Sequence, residues 1–334
     1  MVHTSDMDNA GHQGHLVSWG NKTFRVHTIQ RIMVTAISGM LHTTATDVME
    51  AHTYLPPVEL LMHRVCHRAA IHLATLPMSH LLHKPVCACT RQCMKRHLSP
   101  IHLLLCAYGI KPSEFETLSL ADRPPNSKCS IITDIATSRE EAMEADSEDN
   151  VTLQVYTDRS GQDSMAGAAV VLFKRGNVIG MLQYHLGLLE QHTTFEAELV
   201  GILLGLWLVG QEPDAGSASV NANSQAAIQA LNTHKPGPGG YLLDEIHKLS
   251  KSLCERSFSS LQLKISWISG HDGVTGNNRA DKEAKAAAMG DSSPRHKLLP
   301  LLQSDPLPYS STAAKQHYRS RLANDWRQLW AKLP

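Results

Sequence analysis

No stretch of this 334-residue sequence is long and apolar enough to cross a bilayer as a helix. The longest near-apolar run, Leu199 to Gly210, has 12 residues, against the ~20 a spanning helix needs, and it reads as a buried helix; no membrane partner is expected. Charge of one sign is also missing. Lys and Arg number 31, as do Asp and Glu, which excludes a protein that coats nucleic acid by bulk positive charge. The cysteines form no framework: there are seven, an odd number at irregular spacing, which points to a reducing compartment, nucleus or cytoplasm. The opening MVHTSDMDNAGHQGH has neither a basic n-region nor an apolar h-region, so no secretory signal is expected. No internal repeat is present.

What is there divides into blocks. The zero net charge conceals +4 over residues 1–110, −6 over 111–150, −2 over 151–290 and +4 over 291–334. Residues 1–23 are polar and His-rich and read as a disordered terminus. Over 24–120 the pattern is helical. Ile32, Met33, Ala36, Ile37 and Met40 recur at three- and four-residue intervals. Pro56 and Pro57 open a helix in which Leu60, Leu61, Val65, Ala69 and Leu73 mix with a basic edge of Arg64 and Arg68. Residues 121–149 hold a breaker cluster, RPPNSK, and the acidic run REEAMEADSEDN, and read as a solvated linker. Residues 291–334 read as a basic helical tail.

From 150 to 290 the periodicity switches. VTLQVYTD, AGAAVVLF and VIGMLQYHL read as three strands, the last two joined by a KRGN hairpin turn. TTFEAELVGILLGLWLV reads as a buried helix. SASVNA, SQAAIQALN, YLLDEIHKLSKSLCERS, LQLKISWIS and NNRADKEAKAAA follow as strand, helix, helix, strand and helix. The order βββαβααβα is a mixed α/β layer architecture. Asp158 ends the first strand, Glu198 lies early in the long helix, His271 sits in a Gly-bounded loop, and Asp281 lies in the last helix. Carboxylates at strand ends and helix starts can converge at one sheet edge, where they would bind a hard cation such as Mg²⁺ through oxygen.

YTDRS, AEL, NSQAAI and WISGHDGVTGNNRAD, in that order, closely resemble the ribonuclease H type 1 domain, in the version carried by LINE-type (non-LTR) retrotransposons as found in fungi. The resemblance covers residues 149–290. It implies the ribonuclease H-like fold, a mixed five-stranded sheet with helices on both faces, here preceded by a mainly α-helical region. QRIMVTAISGMLHTTATDVMEAHTYLPPVELL and LPMSHLLHKPV resemble the connector between the reverse transcriptase and ribonuclease H parts of such polyproteins. STAAKQHYRSRLANDWRQLW resembles the segment that follows the domain. No FADD- or YADD-like polymerase motif is present, so the resemblance implies a C-terminal fragment whose missing reverse transcriptase portion is a partner.

Residue by residue, the resemblance implies Asp158, Glu198, Asn223 and Asp281 as metal ligands for Mg²⁺, with Mn²⁺ as substitute, and His271 as the histidine that assists water activation or product release. Glu196, on a different helix face, is not the ligand. Two departures stand out. The third metal position, normally Asp, is Asn223, and Arg159 stands where Gly is usual. An amide oxygen can still ligate, but one negative charge is gone, so weaker metal binding and slower reaction are expected. Arg159 could crowd the substrate strand or pair with a phosphate.

The implied reaction is endonucleolytic hydrolysis of the RNA strand of an RNA–DNA hybrid, leaving 3′-OH and 5′-phosphate ends. Ser160, Gln162, Ser224, Gln225 and Asn277 are the candidate contacts to the hybrid. The alternative is a catalytically impaired nucleic-acid-binding relic, favoured by Asn223. Cys87, Cys89, Cys93 and His97 crowd one stretch, but their spacing departs from usual zinc patterns, and buried thiols on a His-rich helical region are the plainer reading.

Overall fold

A computed structural model describes residues 20–91, 98–119, 131–213, 216–233, 235, 237–256, 261–270, 274–303 and 306–331, with side chains from residue 25 on and not at 90 and 91. The chain divides into two units. One comprises residues 1–113 and 315–334, the other 114–314.

The first unit is helical: α1 (Gly20–Ser38), α2 (Thr46–His52), α3 (Val58–Ala74), α4 (His83–Arg91) and α5 (Pro100–Ala107). Pro57 precedes α3 and Pro100 opens α5, where a missing N–H costs nothing. The face of α3 that is buried runs through His67, Ala70, Ile71 and Ala74, not through Val65, which is 62% exposed. Among the described side chains of α1, Val34 is the buried one, while Ile32, Met33 and Ile37 are exposed. His67 stacks on Tyr318 with ring centres 3.8 Å apart, and Tyr108 meets both edge-on.

The second unit is built on β1 (Ile131–Asp134), α6 (Arg139–Ser147), β2 (Leu153–Gln162), β3 (Met165–Lys174), β4 (Asn177–Leu188), α7 (Thr194–Val209), β5 (Ser217–Ala222), α8 (Gln225–Leu231), α9 (Gly240–Arg256), β6 (Gln262–Trp267), α10 (Thr275–Ala288) and α11 (Pro300–Gln303). The last helix, α12 (Ser311–Trp330), begins in this unit, and its residues from Lys315 on belong to the first. The sheet has six strands in the order β1-β6-β5-β2-β3-β4. β2, β3 and β4 form an antiparallel meander, while β5, β6 and β1 add in parallel beside β2. Two-residue turns close both hairpins. Asp163 and Ser164 carry positive φ in the first, Arg175 and Gly176 in the second, the backbone that the right-handed strand twist requires.

The expectation of five strands is corrected to six. The extra strand, β1, and the helix α6 lie inside residues 121–149, read above as a solvated linker. β1 pairs parallel with β6 from Ile131↔Leu263 to Asp134↔Ser266. α6 is capped by Ser138, whose hydroxyl accepts from the Glu141 N–H, while the Glu141 carboxylate accepts from Thr137. Asp146 at its end accepts a 2.8 Å hydrogen bond from the Tyr156 hydroxyl. The acidic composition hid a helix whose charges mostly face solvent.

Helices cover both faces of the sheet. Strand alternation turns Val155 and Thr157 to one face, where α7 packs. A Cβ on Gly205 of α7 would come within 2.9 Å of Val155 Cγ1, so only glycine lets α7 lie this close. Tyr156 is turned to the other face, toward α10. A Cβ on Gly276 would overlap the Tyr156 ring, so this glycine fixes how closely α10 approaches β2. The larger core lies on the α7 face, and a smaller cluster of Tyr156, Val171, Ile268 and Ala280 lies on the α10 face.

Candidate active site

Parallel pairing sets the site. Thr157, Ala222 and Trp267 stand side by side on β2, β5 and β6, and the next residues along emerge at the C-terminal ends of the parallel strands, the edge where open α/β sheets place ligands. Asp158 still pairs within β2, opposite Ala169 of β3. Asn223 follows β5 directly. Glu198 comes from the first turns of α7, and Asp281 from α10.

Asp158 is 3% exposed. Its Oδ1 accepts from the Arg159 backbone N–H at 2.8 Å and from Asn223 Nδ2 at 2.7 Å. Burial raises its carboxyl above the ordinary range; those two hydrogen bonds oppose the shift and the charge of Asp281 adds to it. Glu198, also 3% exposed, accepts from Arg159 Nε at 3.0 Å. Burial pushes it up to about 7, against the pull of Arg159 and with the push of Asp158. Asp281 pairs with Lys285 one turn on, at 2.6 Å. The structure thus brings Asp158, Glu198 and Asn223 together, with Asp281 close enough to be felt by Asp158. Glu196 is spent elsewhere: it closes the capping box of α7 with Thr193.

The acceptors that meet here are oxygens, the donor set of a hard divalent cation. Glu198 Oε2 and Asn223 Oδ1 are buried without a hydrogen-bond partner, and such an orphaned acceptor calls for a ligand. Among the described residues no group of three or more Asp, Glu, His and Cys is placed to hold an ion. Two carboxylates and one amide oxygen remain, with Asp281 drawn to Lys285. This set suits one ion better than two. A half-turn of the Asn223 amide would exchange Nδ2 for Oδ1 and convert a donor to Asp158 into a ligand beside it.

The other candidate contacts divide. Ser160 lies two residues beyond Asp158 on the same face of β2 and is 8% exposed, while Gln162 is exposed at the hairpin. The Ser224 hydroxyl is engaged as N-cap of α8, accepting from the Ala227 N–H, and Gln225 is exposed beside it. Asn277, in the first turn of α10, is 1% exposed, and its Oδ1 is buried without a hydrogen-bond partner. His271 lies outside the described residues, as do Cys93 and His97 of the Cys/His stretch. Cys87 sits on α4 with Sγ 3.6 Å from His83 Nε2.

Sequence reasoning missed three partners. Arg159 as the partner of Glu198 and Lys285 as that of Asp281 carry no motif, although Lys285 stands at helical spacing. Asp146, which reaches Tyr156 beneath the site, was signalled by the S-x-x-E pattern of Ser138 and Glu141.

Residues 150–289 match the family model of RNase H. No curated protein matches the sequence. Among solved structures the chain is similar to the N-terminal RNase H domain of a Mycobacterium tuberculosis protein, at 18% identity over 41% of this chain and 98% of that one, with a TM-score of 0.33. RNase H1 from the archaeon Halobacterium salinarum is similar at 16% identity over 42% and 98%, with a TM-score of 0.31. An RNase H1 named LC11, solved in complex with an RNA/DNA hybrid, is similar at 19% identity over 41% and 96%, with a TM-score of 0.33.

Proposed function

We propose that residues 150–289 are a metal-dependent endonuclease that hydrolyses the RNA strand of RNA–DNA hybrids. The observation that carries this reading is the junction of Asp158, Glu198 and Asn223, with Asp281 beside it, where the parallel pairing of β2 with β5 ends, in a segment that matches the RNase H model. Water adds to phosphorus, the P–O3′ bond breaks, and the proton ends on the leaving O3′, giving 3′-OH and 5′-phosphate ends. Asp158, Glu198, Asn223 Oδ1 and Asp281 would hold Mg²⁺, or Mn²⁺ in its place, which supplies charge stabilisation to the phosphate in the transition state. Asp158 is fixed by two hydrogen bonds and anchors the site; Glu198 is oriented by Arg159. Ser160, Gln162, Ser224 and Gln225 are the candidate contacts to the hybrid backbone, and His271 assists water or product. The resemblance of residues 30–61 and 311–330 to LINE-type polyproteins supports origin in a retrotransposon, with a reverse transcriptase portion as partner.

A second reading, hybrid binding without turnover, is favoured by one observation: an amide hydrogen of Asn223 sits on Asp158 where the family has a third carboxylate. Cleavage of a labelled RNA–DNA hybrid in Mg²⁺ and Mn²⁺, beside an Asp158→Asn control, decides between them. Metal-dependent cutting of the RNA strand that the control abolishes supports the nuclease. Hybrid binding without cutting supports the second reading.

A further inference from the structure

Arg159 occupies an unusual place. β2 alternates, so Arg159 shares the face of Thr157, which packs under Gly201 of α7, and that face carries it to Glu198 from α7. The ion pair is asymmetric: the Glu198 side chain is 3% exposed and that of Arg159 42%. Only Nε is used on Glu198. No hydrogen bond of the two terminal nitrogens to a described residue is present, and the side chain as a whole is 42% exposed.

Charge counting gives this arrangement a purpose. Asp158, Glu198 and Asp281, against Arg159 and Lys285, leave the site at a formal −1. One divalent ion and one phosphodiester bring it to neutrality, whereas two ions would leave an excess of +2. The loss of a carboxylate at Asn223 and the presence of Arg159 shift the formal charge in the same direction, by +2 together, which is the charge of one divalent ion.

We propose that Arg159 is the resident cation of the site: anchored on Glu198 through Nε, it takes the place of a second metal ion and offers its terminal nitrogens to a phosphate of the substrate strand. This rests on the hybrid-nuclease reading above. A guanidinium suits the role because its planar donors can hold Glu198 and a phosphate oxygen at once.

The test uses the full chain as wild type, Arg159→Ala and Arg159→Lys, with circular dichroism confirming that each folds. Calorimetric titration with Mn²⁺ alone is expected to give one ion per chain in the wild type and in Arg159→Lys, and two in Arg159→Ala, where Glu198 is released. Binding of a short RNA–DNA hybrid in EDTA, followed by fluorescence anisotropy over a range of salt, is the second readout. Arg159→Ala is expected to weaken binding about tenfold and to reduce the salt slope by about 1, and Arg159→Lys to restore the slope. Two Mn²⁺ ions in the wild type, or an unchanged salt slope in Arg159→Ala, would overturn the assignment of Arg159 while leaving hybrid recognition intact. Absence of hybrid binding by the wild type would overturn the underlying functional reading, and the phosphate contact with it.

Discussion

The side-chain amide of Asn223 donates a 2.7 Å hydrogen bond to Oδ1 of Asp158. Two carboxylates at that separation would repel each other in a buried site; an amide and a carboxylate attract. The contact therefore stabilises the domain, and an amide at this position carries one negative charge fewer than a carboxylate would.

Asn223→Asp should separate these two effects. In EDTA the new carboxylate faces buried Asp158 and stability should fall by about 1–3 kcal/mol. In Mg²⁺ the loss should be recovered in part or in full, because an ion between the acids turns repulsion into attraction. Urea denaturation of both proteins with and without Mg²⁺ reads this directly. A variant more stable than wild type in EDTA would show that the 2.7 Å contact contributes nothing.

Gly276→Ala tests how α10 is placed. The added methyl overlaps the Tyr156 ring, so α10 must shift or the ring must turn, at a cost of about 1–3 kcal/mol. Asp281 lies further along the same helix and moves with it, so any cleavage activity should fall more than hybrid affinity. Stability and activity both equal to wild type would mean that α10 adapts freely and that the close approach is incidental.

Much of this fold is legible in the sequence. The β2–β4 meander follows from alternation and the KRGN turn, and α7 from an apolar stretch without proline. β1 was not legible: four residues, IITD, give too short a period, and its partner β6 lies far along the chain. α6 was legible in its Ser138–Glu141 cap and lost in its acidity. In the helical unit α1 could be read, but not which face is buried, since Ile32, Met33 and Ile37 are exposed and, among the described side chains, the buried position is Val34. The site residues could be named because their motifs are local. The Arg159–Glu198 pair could not, because only the packing of α7 on β2 brings the two together.

The helical unit supplies a pH prediction. Burial first, then the charges of His317, Lys315 and Arg321, lower the His67 imidazole from 6.5 to about 4. The folded form then holds fewer protons than the unfolded form between those values. Its contribution is therefore present above 6.5 and is lost as pH falls through 4, by roughly 3 kcal/mol. His67→Phe retains the stack on Tyr318 and should flatten that part of the pH dependence of stability, measured by urea melts at pH 7 and pH 4. Identical pH dependence in both proteins would place the acid sensitivity elsewhere.

Cleavage of one labelled RNA–DNA hybrid in Mg²⁺ and in Mn²⁺ by wild type, Asp158→Asn and Asn223→Asp tests the central claim most directly. A nuclease that uses Asn223 as a weak ligand predicts slow metal-dependent cutting by the wild type, none by Asp158→Asn, and faster cutting by Asn223→Asp. Silence in all three proteins, with the fold intact, would contradict it.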